Sequence, residues 1–212
     1  MELQRFVDGL PVYFILDNAV SAATISSSRV HPGGGLGYAL TGKGVTLSVW
    51  DGGKVRTTHQ EFGNRVTQMD NTANQADHAT HVSGTMIAAG VRPEAKGMSF
   101  EAQLLAHDWN NDLAEMTLRA ADGIQVSNHS YGTVTGWISN YRGDGRWAWL
   151  GNPADNSSED RNFGLYDSRA REWDQLVYTA PYFLPVKSAG NDRGEGPSSQ
   201  PVQHWEYVSG AW

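Results

Sequence analysis

Segments typical of β-strands alternate with segments typical of helices between about residue 44 and residue 187. The stretch Val45–Trp50 is rich in β-branched and aromatic residues and ends abruptly at Asp51-Gly52-Gly53, which places Asp51 at the carboxyl end of a strand. This alternation predicts an α/β fold with three layers, built on a doubly wound and mostly parallel sheet. In such sheets functional groups gather at the carboxyl ends of the strands.

The remaining elements follow from hydrophobic spacing, caps and breakers. We expect a helix from His78 to about Ala89, a strand at about Ala102–His107, a helix at about Asp112–Ala121 capped by Asn111, and a strand at Ile124–Ser127. The spacing of Phe163, Tyr166, Ala170, Trp173 and Val177 predicts a helix of about four turns, which Pro181 ends before a strand at Tyr182–Lys187. Asp51, the segment 128–132 and Asn191 are then all expected just beyond strand ends.

The sequence divides into a lead-in and one main domain. Residues 1–42 contain one short apolar run, Val12–Leu16, and we expect them to pack on the domain formed by residues 43–212. Residues 133–161 are rich in Gly, Asn, Asp, Ser and Trp without either hydrophobic period, which predicts an irregular surface insertion.

Composition excludes several kinds of function. The net charge is −7, from 16 Lys and Arg against 23 Asp and Glu, and no basic run is present; nucleic-acid binding is therefore disfavoured. The absence of cysteine excludes disulfides, thiolate zinc sites and cysteine nucleophiles. No stretch reaches the roughly 18 consecutive apolar residues of a membrane span.

The helix expected after residue 77 presents an imidazole at its start. Asp77 is a suitable N-cap and Gly90 stands where the helix stops. The apolar residues of its predicted buried stripe are Val82, Met86 and Ala89. His78 would occupy the first helical position at a partly exposed edge, where a histidine can take up and return protons near neutral pH.

Asp51 and His78 together suit the roles of an orienting carboxylate and a catalytic imidazole. A buried carboxylate that accepts a hydrogen bond from one imidazole nitrogen fixes the tautomer and stabilises the imidazolium formed when the other nitrogen takes a proton. Taken singly, Asp51 is an ordinary turn aspartate and His78 an ordinary residue near a cap. Their positions after a strand and at a helix start indicate a pair.

Four motifs resemble those of the subtilisin-like serine proteases, the subtilases. Residues 78–85 (His-Ala-Thr-His-Val-Ser-Gly-Thr) are similar to the family's His-Gly-Thr-His-Val-Ala-Gly-Thr, and residues 49–53 with Thr58–Phe62 are similar to its aspartate motif, an apolar strand ending in Asp-Ser/Thr-Gly. Residues 128–132 (Asn-His-Ser-Tyr-Gly) resemble Asn-Met-Ser-Leu-Gly, and residues 188–191 resemble Ala-Ala-Gly-Asn. The resemblance covers roughly residues 40–195.

The resemblance implies a role for each matching residue. Asp51 would orient the His78 imidazole, and His78 would act as general base and acid. The Asn191 amide would donate to the developing oxyanion. Loss of such a donor costs about 10² to 10³ in turnover, a range that comes from this same family. The residues implied to bind a polypeptide substrate are Ser130, Tyr131 and Gly132 as a pairing strand, Ser188, Ala189 and Gly190 in a pocket, and Trp109 with Asn110 further upstream. The resemblance also implies a secreted or periplasmic protein and allows structural calcium, for which the sequence indicates no ligands.

The family's nucleophile motif, Gly-Thr-Ser-Met-Ala-x-Pro, has no counterpart among the 212 residues. Ser83 lies inside the histidine motif, Ser130 matches the substrate strand, and Ser198-Ser199 lacks a following helix. We therefore expect the serine on a missing downstream segment or a separate chain, this chain alone to be inactive, and the sheet to be incomplete at the C-terminus. The competing interpretation is a natural short relative that binds without catalysis.

Two other chemistries remain as alternatives. One is a hydrolytic zinc site, although its histidines are three apart rather than four and lack the glutamate of the metalloprotease motif. Its ligands would come from His78, His81, Asp77, Asp51 and His59. The other is a carbohydrate- or peptide-binding module that uses Trp137, Trp147 and Trp149.

Overall fold

A computed structural model describes residues 2–7, 10–14, 18–154, 159–191, 194–199 and 201–212. The elements in chain order are β1 (Glu2–Val7), β2 (Leu10–Phe14), α1 (Asn18–Thr24), β3 (Thr46–Asp51), β4 (Val66–Gln68), α2 (Asp77–Ile87), β5 (Gln103–Asp108), α3 (Asp112–Ala121), β6 (Val126–His129), β7 (Trp137–Ser139), β8 (Trp147–Trp149), α4 (Ser168–Thr179), β9 (Leu184–Lys187) and β10 (His204–Glu206). Short 3₁₀ turns lie at Ser27–Arg29 and Pro93–Ala95.

These elements form two compact units. The first unit comprises the described residues up to Ser130 together with Ala180–Val186, and the second comprises Tyr131–Thr179 and the described part of Lys187–Trp212. The lead-in contains the antiparallel pair β1 and β2. Of the predicted apolar run, Ile15 and Leu16 fall outside the described residues.

The first unit contains a five-stranded sheet with the order β4-β5-β3-β6-β9. Strand β3 is central and runs parallel to β5, with Asp51 opposite Asp108, and parallel to β6, with Trp50 opposite His129. The predicted α/β fold with a mostly parallel sheet is thus confirmed.

Alternation along β3 directs its side chains to two different helices. Val49 packs with Ala79 and Ile87 of α2 in one buried cluster. Trp50, its neighbour, points to the other face, where its indole donates to Glu115 of α3 at 2.9 Å. Helices therefore cover both faces of this strand, as a three-layer fold requires.

Several predicted boundaries are wrong by a few residues. Helix α2 begins at Asp77 and ends at Ile87, and its N-cap position is occupied by Ala76, which makes no side-chain cap bond, in place of the predicted Asp77. Its buried residues are Ala79, Ser83 and Ile87, with Val82 and Met86 partly buried and Ala89 exposed beyond the helix. Strand β6 starts two residues later than expected, so that Asn128 and His129 lie within it.

The helix predicted from Phe163 begins five residues later, at Ser168. Asp167 explains the difference, because its carboxylate accepts the backbone N–H of Ala170 at 2.8 Å and so caps the helix there. Phe163 and Tyr166 precede the helix and are exposed. The predicted insertion contains two short strands, β7 and β8, which form a three-stranded sheet with β10 in the second unit.

A buried carboxylate secures the loop that follows α2. Glu61 accepts the backbone N–H groups of Gly90 at 2.7 Å, Val91 at 3.0 Å and Arg92 at 2.8 Å. Its side chain is buried, so these three donors replace the water that a carboxylate would otherwise hold. The C-terminal end of α2 is therefore fixed by a side chain from the segment after β3.

We expect Glu61→Gln to lower the free energy of unfolding by about 1.5–3 kcal/mol, because an amide N–H would then face backbone donors in a buried site. Urea unfolding followed by far-UV circular dichroism measures the change. Glu94→Gln, at an exposed position on the same segment, serves as the control and should change stability little. Equal effects of the two substitutions would contradict this role for Glu61.

Candidate active site

Asp51 and His78 form a hydrogen-bonded pair at the carboxyl edge of the sheet. Asp51 is the last residue of β3 and His78 the second residue of α2. The imidazole Nδ1 lies 2.7 Å from Asp51 Oδ1, a distance at which the nitrogen donates to the carboxylate. The side chain of Asp51 is 3% exposed and that of His78 is 60% exposed. The pair therefore has a buried acid and an accessible base.

The two oxygens of the Asp51 carboxylate have different surroundings. Oδ1 accepts from His78 and also from the backbone N–H of Gly52 at 2.8 Å. Oδ2 is buried and has no hydrogen-bond partner in the described part of the chain. The subtilase motif has Ser or Thr at the position of Gly52, so a hydroxyl available there in the family is absent here. Oδ1 alone therefore carries the orienting contacts.

Backbone contacts hold the start of α2 against the loop that follows Asp51. Lys54 donates its N–H to the Asn74 carbonyl at 2.8 Å, and its own carbonyl accepts from Ala76 at 2.9 Å. The N–H of Arg56 donates to the Thr80 hydroxyl at 3.0 Å. These bonds fix the distance between the loop and the first turn of α2, which is the distance that the pair spans.

Two more carboxylates support the same edge. Asp108, opposite Asp51 in the sheet, accepts the N–H of Gly53 at 2.9 Å and that of Asn110 at 3.0 Å. Asp70 in turn accepts the N–H of Asp108. Each of these acids is matched by N–H donors, so the negative charges near Asp51 hold loops in place and leave Asp51 as the partner of the imidazole.

Trp109 lies against the loop beside the pair. Its N–H donates to the carbonyl of Asp51 at 3.0 Å, and its ring occupies the space that a side chain at Gly52 would need. The ring is 47% exposed, so it forms part of the surface next to Asp51. Asn110 is exposed, and its side-chain amide bonds Asp108. Trp109 and Asn110 thus lie near the predicted acid and base.

The other predicted residues divide between the two units. Ser130 belongs to the first unit, where its hydroxyl accepts from the Asn128 amide at 2.9 Å. Tyr131, Gly132 and Ser188–Asn191 belong to the second unit, and the last four are exposed. Within that unit the Lys187 ammonium lies 3.7 Å from the centre of the Tyr131 ring and bonds the Tyr131 carbonyl. The two segments predicted to bind substrate are therefore adjacent there.

The rival chemistries find little support in these side chains. Among the described residues, no group of three or more His, Asp or Glu side chains could hold a metal ion. His81, one of the possible zinc ligands, is exposed on α2. Trp137 and Trp149, which the binding-module alternative would use for binding, are 9% and 1% exposed, and their ring centres lie 5.0 Å apart in the core of the second unit.

The geometry agrees with a comparison of the chain with protein families. The model of the subtilase family, peptidase family S8, matches residues 42–210. The chain belongs to the subtilase family. Subtilases are serine proteases that act on polypeptides. A search of curated proteins finds no match at the required significance. In the described part of this subtilase, no helix is long and apolar enough to cross a membrane.

The residues that surround the Asp51–His78 pair and hold it in place were not predicted from the sequence. The packing of Trp109 on Gly52 could have been suspected from a glycine where the family has Ser or Thr, together with a tryptophan after the adjacent strand. The roles of Asp108 and Asp70 carry no such signal, because each is a single acid at a strand end and only the register of β3 with β5 brings them to the loop.

We expect Gly52→Ala to destabilise the protein by about 1–3 kcal/mol, because the added Cβ would lie 2.8 Å from the Trp109 ring. Urea unfolding measures the cost, and repeating the substitution in a Trp109→Leu background should remove most of it. Gly35→Ala is the control, since a Cβ there meets nothing within 4 Å. If the cost were equal in both backgrounds, the contact would not be its cause.

Proposed function

We propose that this subtilase supplies the acid and the base of a subtilisin-type serine endopeptidase, with Asp51 orienting His78. In this proposal the nucleophilic serine lies on sequence outside these 212 residues, and the 212-residue chain alone is inactive. The observation that carries the proposal is the 2.7 Å bond between a buried carboxylate and an exposed imidazole. The family match supplies the class of reaction.

The bond to Asp51 determines what His78 can do. Because Nδ1 donates to the carboxylate, the neutral imidazole carries its hydrogen there and leaves Nε2 as the acceptor. Nε2 can then take the proton of a serine hydroxyl as it attacks the scissile carbonyl, and the buried charge of Asp51 stabilises the imidazolium. The same nitrogen later returns the proton to the leaving amine, so one residue serves as base and acid.

The serines near the pair support an external nucleophile. Ser83 is buried and donates to the carbonyl of Ala79 at 2.7 Å, and Ser127 is buried beside His129 at 2.8 Å. Ser130 is engaged by Asn128. In the described part of the chain, no serine hydroxyl hydrogen-bonds His78, whose one partner there is Asp51.

The remaining residues take the roles that the family motifs give them. Asn191 would donate its amide to the oxyanion, and the segment 130–132 would pair with the substrate backbone. Ser188–Gly190 would line the pocket for the side chain before the scissile bond, and Trp109 with Asn110 would contact the substrate further upstream. We also propose a secreted or periplasmic location, and we assign no calcium ligands.

The test uses the complete product of the gene that encodes this chain. A fluorophosphonate probe should label the complete protein, and His78→Ala should abolish labelling because the serine loses its base. Asp51→Asn keeps the shape of the side chain but no longer enforces the tautomer, and it should reduce turnover by about 10⁴. The 212-residue chain alone should not be labelled.

His81→Ala is the matched control, since His81 is an exposed histidine one turn further along the same helix. It should leave labelling unchanged. Persistent labelling of the His78→Ala protein, or no labelling of the complete wild-type protein, would overturn the proposed function.

A further inference from the structure

One lysine connects the two segments that are assigned to substrate binding in the second unit. Lys187 is the last residue of β9 and directly precedes the segment Ser188–Asn191. Its ammonium donates to the backbone carbonyl of Tyr131 and lies 3.7 Å from the centre of the Tyr131 ring. Tyr131 is the middle residue of the segment 130–132, and it is 56 positions away from Lys187 in the sequence. A single side chain therefore joins the two segments.

A helix supplies a further contact for the same ammonium. The ring centre of Trp173, in α4, lies 5.7 Å from the Lys187 nitrogen. Ammonium groups are attracted to the faces of aromatic rings at distances up to about 6 Å, because the face of the ring is negative. Lys187, Tyr131 and Trp173 all belong to the second unit, so these contacts lie within one compact body. The carbonyl and the two rings together set the position of the ammonium.

The chemistry of an ammonium suits this position. It carries three N–H donors and no acceptor, so it can bond the Tyr131 carbonyl and still present its charge to the rings. A methionine side chain is also long and unbranched, but it can neither donate to the carbonyl nor attract a ring through charge. An arginine keeps both the donors and the charge. Substitution of Lys187 can therefore separate the effect of charge from the effect of packing.

The bond to Tyr131 leaves the neighbouring residues available to a substrate. In the proposed function, the segment 130–132 pairs with the substrate backbone. Along a strand, the N–H and C=O of one residue point to one edge, and those of the two adjacent residues point to the opposite edge. With the Tyr131 carbonyl on Lys187, the backbone polar groups of Ser130 and Gly132 would face the substrate.

Lys187 lies outside the core of the second unit. Lys187 and the segment Ser188–Asn191 are exposed, whereas the core contains the rings of Trp137 and Trp149. Substitutions at exposed positions usually change stability little. A change in activity on substitution of Lys187 would therefore report on the placement of the two segments rather than on loss of the fold.

We propose that Lys187 is a positioning residue. It holds the segment 130–132 at a fixed distance from the turn that carries Asn191, so that a peptide paired with this segment presents its scissile carbonyl to the Asn191 amide. In this role Lys187 acts through Tyr131 and does not need to contact the substrate. The inference rests on the proposed function, which assigns the two segments to the substrate.

The test compares two substrates of the complete product of the gene. One is the p-nitroanilide of a single blocked amino acid, and the other is the p-nitroanilide of a four-residue peptide with the same residue before the scissile bond. Only the longer substrate can pair with the segment 130–132 as a strand. Lys187→Met should lower kcat/KM for the longer substrate by about 10-fold to 100-fold, mainly through kcat, because the bound peptide would lie out of line with the oxyanion donor. For the short substrate, kcat/KM should change by less than about 2-fold.

Two variants serve as controls. Lys187→Arg keeps the positive charge and the N–H donors, and it should retain most of the activity on the longer substrate. Lys43→Met removes a positive charge from an exposed position in the first unit and should change the activity on neither substrate. Titration with the fluorophosphonate counts the active sites in each preparation, so misfolded protein does not enter the comparison.

An equal loss on both substrates, or no loss on either, would overturn the inference, because Lys187 would then act on the fold alone or not at all. The inference would also be overturned if Lys187→Arg lost as much activity as Lys187→Met. If Lys187→Met does not fold, Lys187→Leu provides the same comparison with the same expected difference between the substrates. Failure of the proposed function has a different signature: the wild-type complete protein would be neither labelled by the probe nor active on either substrate, and the inference would fall with it.

Discussion

The hydrogen bond between Asp51 and His78 joins a strand end to a helix start, and it depends on a carboxylate buried to 3% exposure. Burying such a charge is costly unless donors replace the lost water. Here the donors are the imidazole and the N–H of Gly52, both on Oδ1, while Oδ2 has no partner among the described residues. The carboxylate is thus bound on one side, and any movement of the strand end or of α2 acts directly on the bond to His78.

The two faces of the central strand β3 pack against different groups. On the face of Val49, α2 packs into the core and places His78, and Glu61 fixes the far end of that helix through three backbone N–H groups. On the face of Trp50, the rings of His107 and His129 stack on the indole from the two neighbouring strands. Because Trp50 and Asp51 are consecutive, the packing of one face and the chemistry of the other cannot change independently.

The sequence predicted the parts of this arrangement that depend on local pattern. Asp51 and His78 follow from a strand that ends at Asp-Gly-Gly and a helix with a histidine at its start, and the alternation of elements predicted the parallel sheet. The starts of the elements were less predictable. Helix α4 begins later than its apolar spacing predicts because Asp167 caps it, and β6 begins two residues later than predicted, where it pairs with β3. The alternative of a binding module placed Trp137 and Trp149 on a surface, yet they form the core of the second unit. Such burial depends on strand pairing between distant segments, which local composition does not encode.

The central claim is that Asp51 fixes His78 with its hydrogen on Nδ1 and its acceptor at Nε2. The most direct test is the pair of ¹⁵N chemical shifts of the His78 ring in the neutral imidazole, compared between the wild-type chain and Asp51→Asn. The account predicts a protonated Nδ1 and a bare Nε2 in the wild-type chain, and a mixed or reversed tautomer in the variant. A wild-type His78 with its hydrogen on Nε2, or a tautomer that Asp51→Asn leaves unchanged, would contradict it.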